Sequence, residues 1–255
     1  MKPNYYIASC SYGKDSIAQI LIALENNEPL DEVIFCEVRF GFNSSGEIPE
    51  HIDFINNVAK PALLKRGVKK ITHITAGKTY IDCFMHYNRK REKLQGFPLA
   101  KKCKIKSELK IAPIKKYIRK LNKEYNVIEY IGITIDEPHR FNQLSENKVS
   151  LLKKYMINQK QTREICEKNN LLSPVYKFTL RQGCWFCPNA KISQLARIKR
   201  VYPFLWGKLK ACSEVKITIS NKFSYNKTFA DIERKVDIYN FHLKHERLLF
   251  CLKEE

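Results

Sequence analysis

Three groups of residues in this chain are of types and spacings that do chemistry. The first is Ser11-Tyr12-Gly13-Lys14-Asp15-Ser16. It follows a short apolar run and precedes residues with helical period. A loop between a strand and a helix aims backbone N–H groups and the positive end of the helix dipole at one point, which suits an anion. Gly13 permits a tight turn and close backbone approach. Lys14 can neutralise a phosphate, Ser11 and Ser16 can donate hydroxyl hydrogens, and Ser16 also stands where a helix cap belongs. Asp15 can orient the loop or hold a metal. The plain alternative is a Ser/Gly turn with a cap. The loop is not a Walker A motif, because G-x-x-x-x-G-K-[ST] is absent.

The second group is Asp136, Glu137 and Arg140, which follow the run Val127–Ile135. Ligands of open α/β sheets bind at the carboxyl ends of strands, so these residues should face the same crevice as the loop. Arg140 can clamp a phosphate or sulfate through two parallel hydrogen bonds. Asp136 or Glu137 can take Mg²⁺ or a ribose hydroxyl. A solvated turn at a strand end is the alternative.

The third group is the cysteines, of which the chain has nine. Cys184-Trp185-Phe186-Cys187, with Pro188 after it, is a C-x-x-C pair. Two thiolates at that spacing chelate one metal, hold two corners of an iron–sulfur cluster, or form a redox couple. A closed site needs more ligands, and Cys103, Cys166 and Cys212 are the candidates. The expected metal set is Cys184, Cys187, Cys103 and Cys166, holding a 4Fe–4S cluster or Zn²⁺. Unmetallated thiols are the alternative. Cys10, Cys36 and Cys83 lie in apolar patterns and read as core.

Elements that would position these residues follow from periodicity. Strands are expected at 4–10, 32–38, 70–75 and 127–135. Helices are expected after residue 16, over 50–65 with an interruption at Pro61, over 80–94, over 109–125, and later over 162–169, 192–211 and 229–249. Strands alternating with helices imply an α/β fold: a parallel twisted sheet of about five strands with helices on both faces. The expected division is an α/β nucleotide-binding domain over 1–150 and a mostly helical, cysteine-bearing C-terminal region over 151–255.

The motifs together resemble the phosphoadenylylsulfate (PAPS) reductase-like family of the PP-loop superfamily. The loop is similar to S-G-G-K-D-S, with Tyr12 in place of the first glycine. Gly46-Glu47-Ile48-Pro49-Glu50, Lys102-Cys103 with Leu109-Lys110-Ile111-Ala112-Pro113-Ile114, the Gly132–Arg140 block, and Leu171–Tyr176 followed by Gly183–Asn189 resemble the family's later segments in order. The resemblance implies a PP-loop/HUP-like fold and an adenine nucleotide, ATP or an adenylylated sulfonucleotide, with Mg²⁺. It also implies ATP α–β cleavage coupled to sulfur transfer or nucleic-acid modification, with Lys14, Asp15, Asp136 and Arg140 catalytic and Ser11, Gly13, Lys14, Asp15, Ser16 and Glu137 binding the nucleotide. Sulfonucleotide reduction is the second function. It needs a thiol nucleophile, and Cys251 lacks the family's flanking Glu, Gly and His. A non-catalytic nucleotide- or nucleic-acid-binding module is the third.

Composition bounds these functions. The 255 residues carry 46 Lys+Arg against 26 Asp+Glu, and 44% are hydrophobic, which is ordinary globular composition. The charge is uneven. Residues 1–60 hold four Lys/Arg and nine Asp/Glu, residues 89–123 fourteen against two, and residues 151–200 eleven against two. Such basic blocks attract a polyanion, and a nucleic acid through 89–123 and 151–200 is the expected partner beside the nucleotide. A solvated Lys-rich surface is the alternative. No run is apolar enough for a membrane span and the N-terminal segment is no secretory signal, so a cytoplasmic protein without a membrane partner is expected. A homodimer is left open.

Overall fold

A computed structural model of the chain describes residues 2–98 and 103–251. Lys102 lies outside the described residues, and so does the side chain of Cys251. The chain forms two compact units, each drawn from several segments. One comprises Met1–Glu37, Ile48–Ala76 and Lys110–Gln182; the other comprises Val38–Glu47, Gly77–Leu109 and Gly183–Glu255. The segments interleave, whereas the sequence suggests a single boundary near residue 150.

The first unit is built on five parallel strands: β1 (Asn4–Ser9), β2 (Glu32–Glu37), β3 (Ile71–Thr75), β4 (Asn126–Ile131) and β5 (Lys148–Val149). Their order is β3-β2-β1-β4-β5. Chain order reverses between β1 and β4, which makes the space beyond their carboxyl ends the natural ligand crevice.

Alternation along each strand sends neighbouring side chains to opposite faces. On one face Ala8, Val33, Phe35 and Tyr130 join Ile17, Ile20 and Leu21 of helix α1 (Lys14–Glu25), together with Leu151, Leu152 and Cys166. On the other face Ile7, Ile34 and Val127 are covered by Tyr117, Ile118 and Leu121. These come from a helix over Ala112–Leu121 whose solvent side carries Lys115, Lys116, Arg119 and Lys120. Helices therefore cover both faces.

The stretch 49–65 stays helical through Pro61. A π-helical turn, Ile55–Ala59, precedes the α-helical segment Lys60–Lys65. Proline donates no N–H and its ring crowds the carbonyl four residues back, so a widened turn just before it relieves both problems. The same arrangement recurs at Lys106–Ile111, just before Pro113.

In the second unit, helices run over Ile192–Val201, Pro203–Glu214 and Phe229–Cys251. The helix expected over 192–211 is broken at Tyr202-Pro203, since the residue before proline is pushed out of the helical region. The helix expected over 80–94 is short, Tyr80–Phe84. It is followed by an antiparallel hairpin of Tyr87–Asn88 and Lys93–Gly96, whose second strand also pairs in parallel with Thr218–Ser220. No helix among the described residues is long and apolar enough to cross a membrane.

Candidate functional site

The loop between β1 and α1 is held from below and from both sides. Tyr12 takes the left-handed backbone conformation (φ 56°), and its side chain is fully buried, edge-on to Phe35 at 5.2 Å. The side chain of Tyr12 therefore points into the core. Gly13 is extended (φ −77°, ψ 161°), so it does not make the tight turn expected of it. What it supplies is close approach: a Cβ there would stand 2.7 Å from Gln182 Oε1 and 3.0 Å from the Tyr176 hydroxyl. Gly13 is also the cap residue of α1. Ser16 lies in the first turn and staples the loop, with Oγ accepting from Ser11 N (3.3 Å) and donating to the Gly13 carbonyl (3.0 Å).

The other contacts come from chain segments far away in sequence. The Lys14 N–H donates to the Tyr176 hydroxyl at 3.0 Å. The Ser11 carbonyl accepts from Gln182 Nε2 and from His51 Nε2, both at 3.2 Å. His51 is fully buried, with Nδ1 2.8 Å from the Ser173 hydroxyl. Gly132, just beyond β4, packs on the loop backbone: a Cβ there would lie 3.0 Å from the Asp15 carbonyl and 3.1 Å from Ser16 N. Of the first-turn N–H groups of α1, that of Lys14 is taken by Tyr176, and Gly132 backs that of Ser16.

The charges are specific in their partners. Lys14 Nζ is turned inward, its side chain 10% exposed, and sits 2.6 Å from Asp15 Oδ1, 3.1 Å from Thr162 Oγ1 and 3.4 Å from the Gln159 carbonyl. Thr162 is fully buried and donates to the same Asp15 oxygen at 2.8 Å. Asp136 accepts the Gln159 N–H at 2.5 Å, which anchors the helix Gln159–Lys168 that carries Thr162. Lys14, Asp15 and Asp136 thus meet at one corner through Gln159 and Thr162. Glu137 and Arg140 pair with each other at 2.5 Å on the short helix Pro138–Phe141. Asp15 and Arg140 keep side-chain exposures of 32% and 41%.

The cysteines fall into two places. Cys166 belongs to the first unit, fully buried beneath the loop, with Sγ 3.2 Å from the Lys14 carbonyl. Burial, with the Asp15 charge adding, pushes its thiol up to about 12. Cys103, Cys184 and Cys187 belong to the second unit, half-buried on the wall of a cavity also lined by Tyr80, Phe97 and Phe186. Soft thiols in apolar surroundings suit a thiophilic metal or an iron–sulfur cluster. Among the described residues, however, no group of three or more His, Cys, Asp or Glu is arranged to hold a metal ion. Cys166, also in the metal set expected from sequence, does not line that cavity. Cys10, Cys36 and Cys212 are buried, and burial raises each thiol to about 11.

His51, Thr162, Tyr176 and Gln182 were not singled out by sequence reasoning. Tyr176 lies in the Leu171–Tyr176 segment that resembles the family. His51 and Thr162 carry no local signal, since their partners are 40 and 147 residues away.

A parallel twisted sheet with helices on both faces, a Ser/Gly/Lys/Asp loop after β1, and a glycine beyond β4 packed against that loop resemble a PP-loop/HUP-like fold in general, an architecture that binds nucleotides elsewhere. They do not select the phosphoadenylylsulfate reductase branch. No family model matches the chain. It is similar to an uncharacterized protein of Methanocaldococcus jannaschii, 29% identical over 223 residues, which is 80% of this chain and 47% of that protein. The chain therefore spans about half the length of the relative it matches.

Proposed function

We propose that this chain is a PP-loop enzyme that binds an adenine nucleotide over residues 11–16 and activates an acceptor by attack at the α-phosphorus of ATP. A bond forms between the acceptor oxygen and phosphorus, the α–β bond breaks, and pyrophosphate leaves. The observation that carries this reading is the loop's position where the strand order reverses, with Gly132 against its backbone. The N–H groups of Asp15 and Ser16, with the Ser11 hydroxyl, donate to phosphate oxygens. Arg140, the more exposed cation of the site, swings from Glu137 to the developing charge. Lys14 holds Asp15 and the helix Gln159–Lys168 in register, a positioning role rather than direct phosphate contact.

Mg²⁺ would be held between the nucleotide and the protein's carboxylates, because that ion prefers phosphates plus one or two carboxylates. Asp15, one-third exposed at the loop, fits that need, and Asp136 stands close by. The ion neutralises phosphate charge when bound. We assign the acceptor to nucleic acid, on the ground of the uncompensated basic residues taken up below.

Incubation with ATP labelled at the α-phosphate tests the reaction. The expected products are AMP, free or attached to acceptor, and pyrophosphate. ADP as product, or sulfite release from adenylylsulfate with reduced thioredoxin and no ATP turnover, overturns it.

A further inference from the structure

The two basic blocks differ once their partners are known. In 151–200, Lys154 pairs with Glu28, Lys160 with Glu164, Arg163 with Glu167, and Lys199 with Glu233 and Asp237. Four of that block's eleven cations are thus paired within the protein. In 89–123, Arg89, Lys90, Arg91 and Lys93 are all exposed and enter no ion pair among the described residues. They cluster at the end of the hairpin Tyr87–Asn88 and Lys93–Gly96, with Glu92 the acidic residue among them.

The hairpin end is ordered. The Arg91 N–H donates to both the Asn88 carbonyl and Asn88 Oδ1 at 3.1 Å, and Glu92 closes the turn in the left-handed conformation (φ 51°). The Leu94 N–H donates to the Ile217 carbonyl at 3.0 Å, which brings exposed Lys216 to the same end. The base is anchored: Phe97 packs on Phe84, Phe223 and Phe229. Tyr87 stands beside the cations and is 53% exposed.

We propose that this hairpin end grips an unpaired stretch of nucleic acid, with Arg89, Lys90, Arg91 and Lys93 on phosphates and Tyr87 stacked on a base. Two guanidiniums suit phosphate geometry, and an exposed ring beside them adds the stacking surface that single strands use. A membrane surface would require apolar side chains at the tip, and residues 88–93 contain none. The helix Ala112–Leu121 also shows unpaired cations, but it is an ordinary amphipathic helix whose inner face covers the sheet, with no exposed ring among them. The proposal rests on the reading of the acceptor as nucleic acid and says which surface holds it.

The test is anisotropy of a labelled single-stranded oligonucleotide across a salt series, with ATP binding measured on the same preparations. The variant carrying Arg89→Gln, Lys90→Gln, Arg91→Gln and Lys93→Gln should bind more weakly, with a log–log salt slope shallower by up to about 2.8, at about 0.7 per phosphate released. Tyr87→Leu, which keeps the apolar contact with Leu94 across the hairpin, should bind about tenfold more weakly, and Tyr87→Phe should restore binding. Unchanged binding and slope in the fourfold variant overturns the proposal. So does loss of binding only in Lys115→Gln/Lys116→Gln/Lys120→Gln, or a hairpin effect seen with anionic vesicles and not with the oligonucleotide. ATP binding without any oligonucleotide binding sinks this proposal and leaves the nucleotide site standing. Oligonucleotide binding without ATP binding does the reverse.

Discussion

Replacing Gly132 by alanine isolates the geometry on which the proposed nucleotide site depends. The new methyl would lie 3.0 Å from the carbonyl carbon and oxygen of Asp15 and 3.1 Å from Ser16 N, where ordinary contact begins near 3.4 Å. All three atoms are backbone, so no side chain can rotate away. Overpacking of this kind costs about 1–3 kcal/mol. The protein relieves it by moving the first turn of α1 a few tenths of an ångström away from β4. A nucleotide that needs the original loop must reverse that shift, so the strain reappears as lost affinity. The expected loss is about 5- to 150-fold in Kd, since each 1.4 kcal/mol is about tenfold. The assay is calorimetric titration with ATP, alongside denaturant unfolding of the free protein. Gly183→Ala is the control, because nothing lies within 4 Å of a Cβ there. Wild-type affinity and stability in Gly132→Ala would refute the claim that the glycine beyond β4 sets the loop.

Other outcomes follow from the same contacts. Thr162→Val keeps the shape of a fully buried side chain but removes hydrogen bonds to Asp15 and Lys14. Bonds to charged groups are worth about 1.5–3 kcal/mol, so urea unfolding should show a loss of that order and ATP affinity should fall with it. Glu28 is held below the usual carboxylate range, first by its hydrogen bond from Lys154 and then by the one from Tyr155. A group depressed in the folded state adds stability above its unfolded value, and that stability is lost as pH falls through the folded value. Glu28→Gln should therefore lower Tm at neutral pH, with the deficit closing in acid, as a pH series of melting curves would show. Iodoacetamide labelling of the native, chelator-treated protein near neutral pH should reach Cys103, Cys184 and Cys187 first and spare Cys10, Cys36, Cys166 and Cys212, which are buried with raised thiols or locked under the loop. Equal rates at Cys166 and Cys184 would contradict their placement.

The sheet was legible because apolar runs such as Val33–Cys36 and Val127–Ile131 are short, rich in β-formers and separated by helical periods. The loop was legible from residue types alone, and so was its position after β1. The roles within it were less so. Gly13 reads as the turn residue, yet Tyr12 makes the turn, because its ring gains a buried place against Phe35. Lys14 reads as a phosphate ligand, yet Asp15 and Thr162 draw its ammonium inward, and Thr162 is 148 residues away. The stretch 80–94 has helical period, but pairing with Thr218–Ser220 makes its end a hairpin, a partner no local pattern reveals. Cys166 shares its residue type with Cys184 and Cys187, but nothing in the sequence shows that its thiol lies under the loop, 3.2 Å from the Lys14 carbonyl.

The central claim is that the loop of residues 11–16 binds an adenine nucleotide. Its most direct test is calorimetric titration of ATP into the wild-type protein and into Gly13→Val, whose branched side chain would meet Gln182 and Tyr176 at the loop. The account predicts saturable binding at one site per chain in the wild type and its loss in the variant, with folding retained by circular dichroism. No binding in the wild type, or equal binding in a folded Gly13→Val, would contradict it.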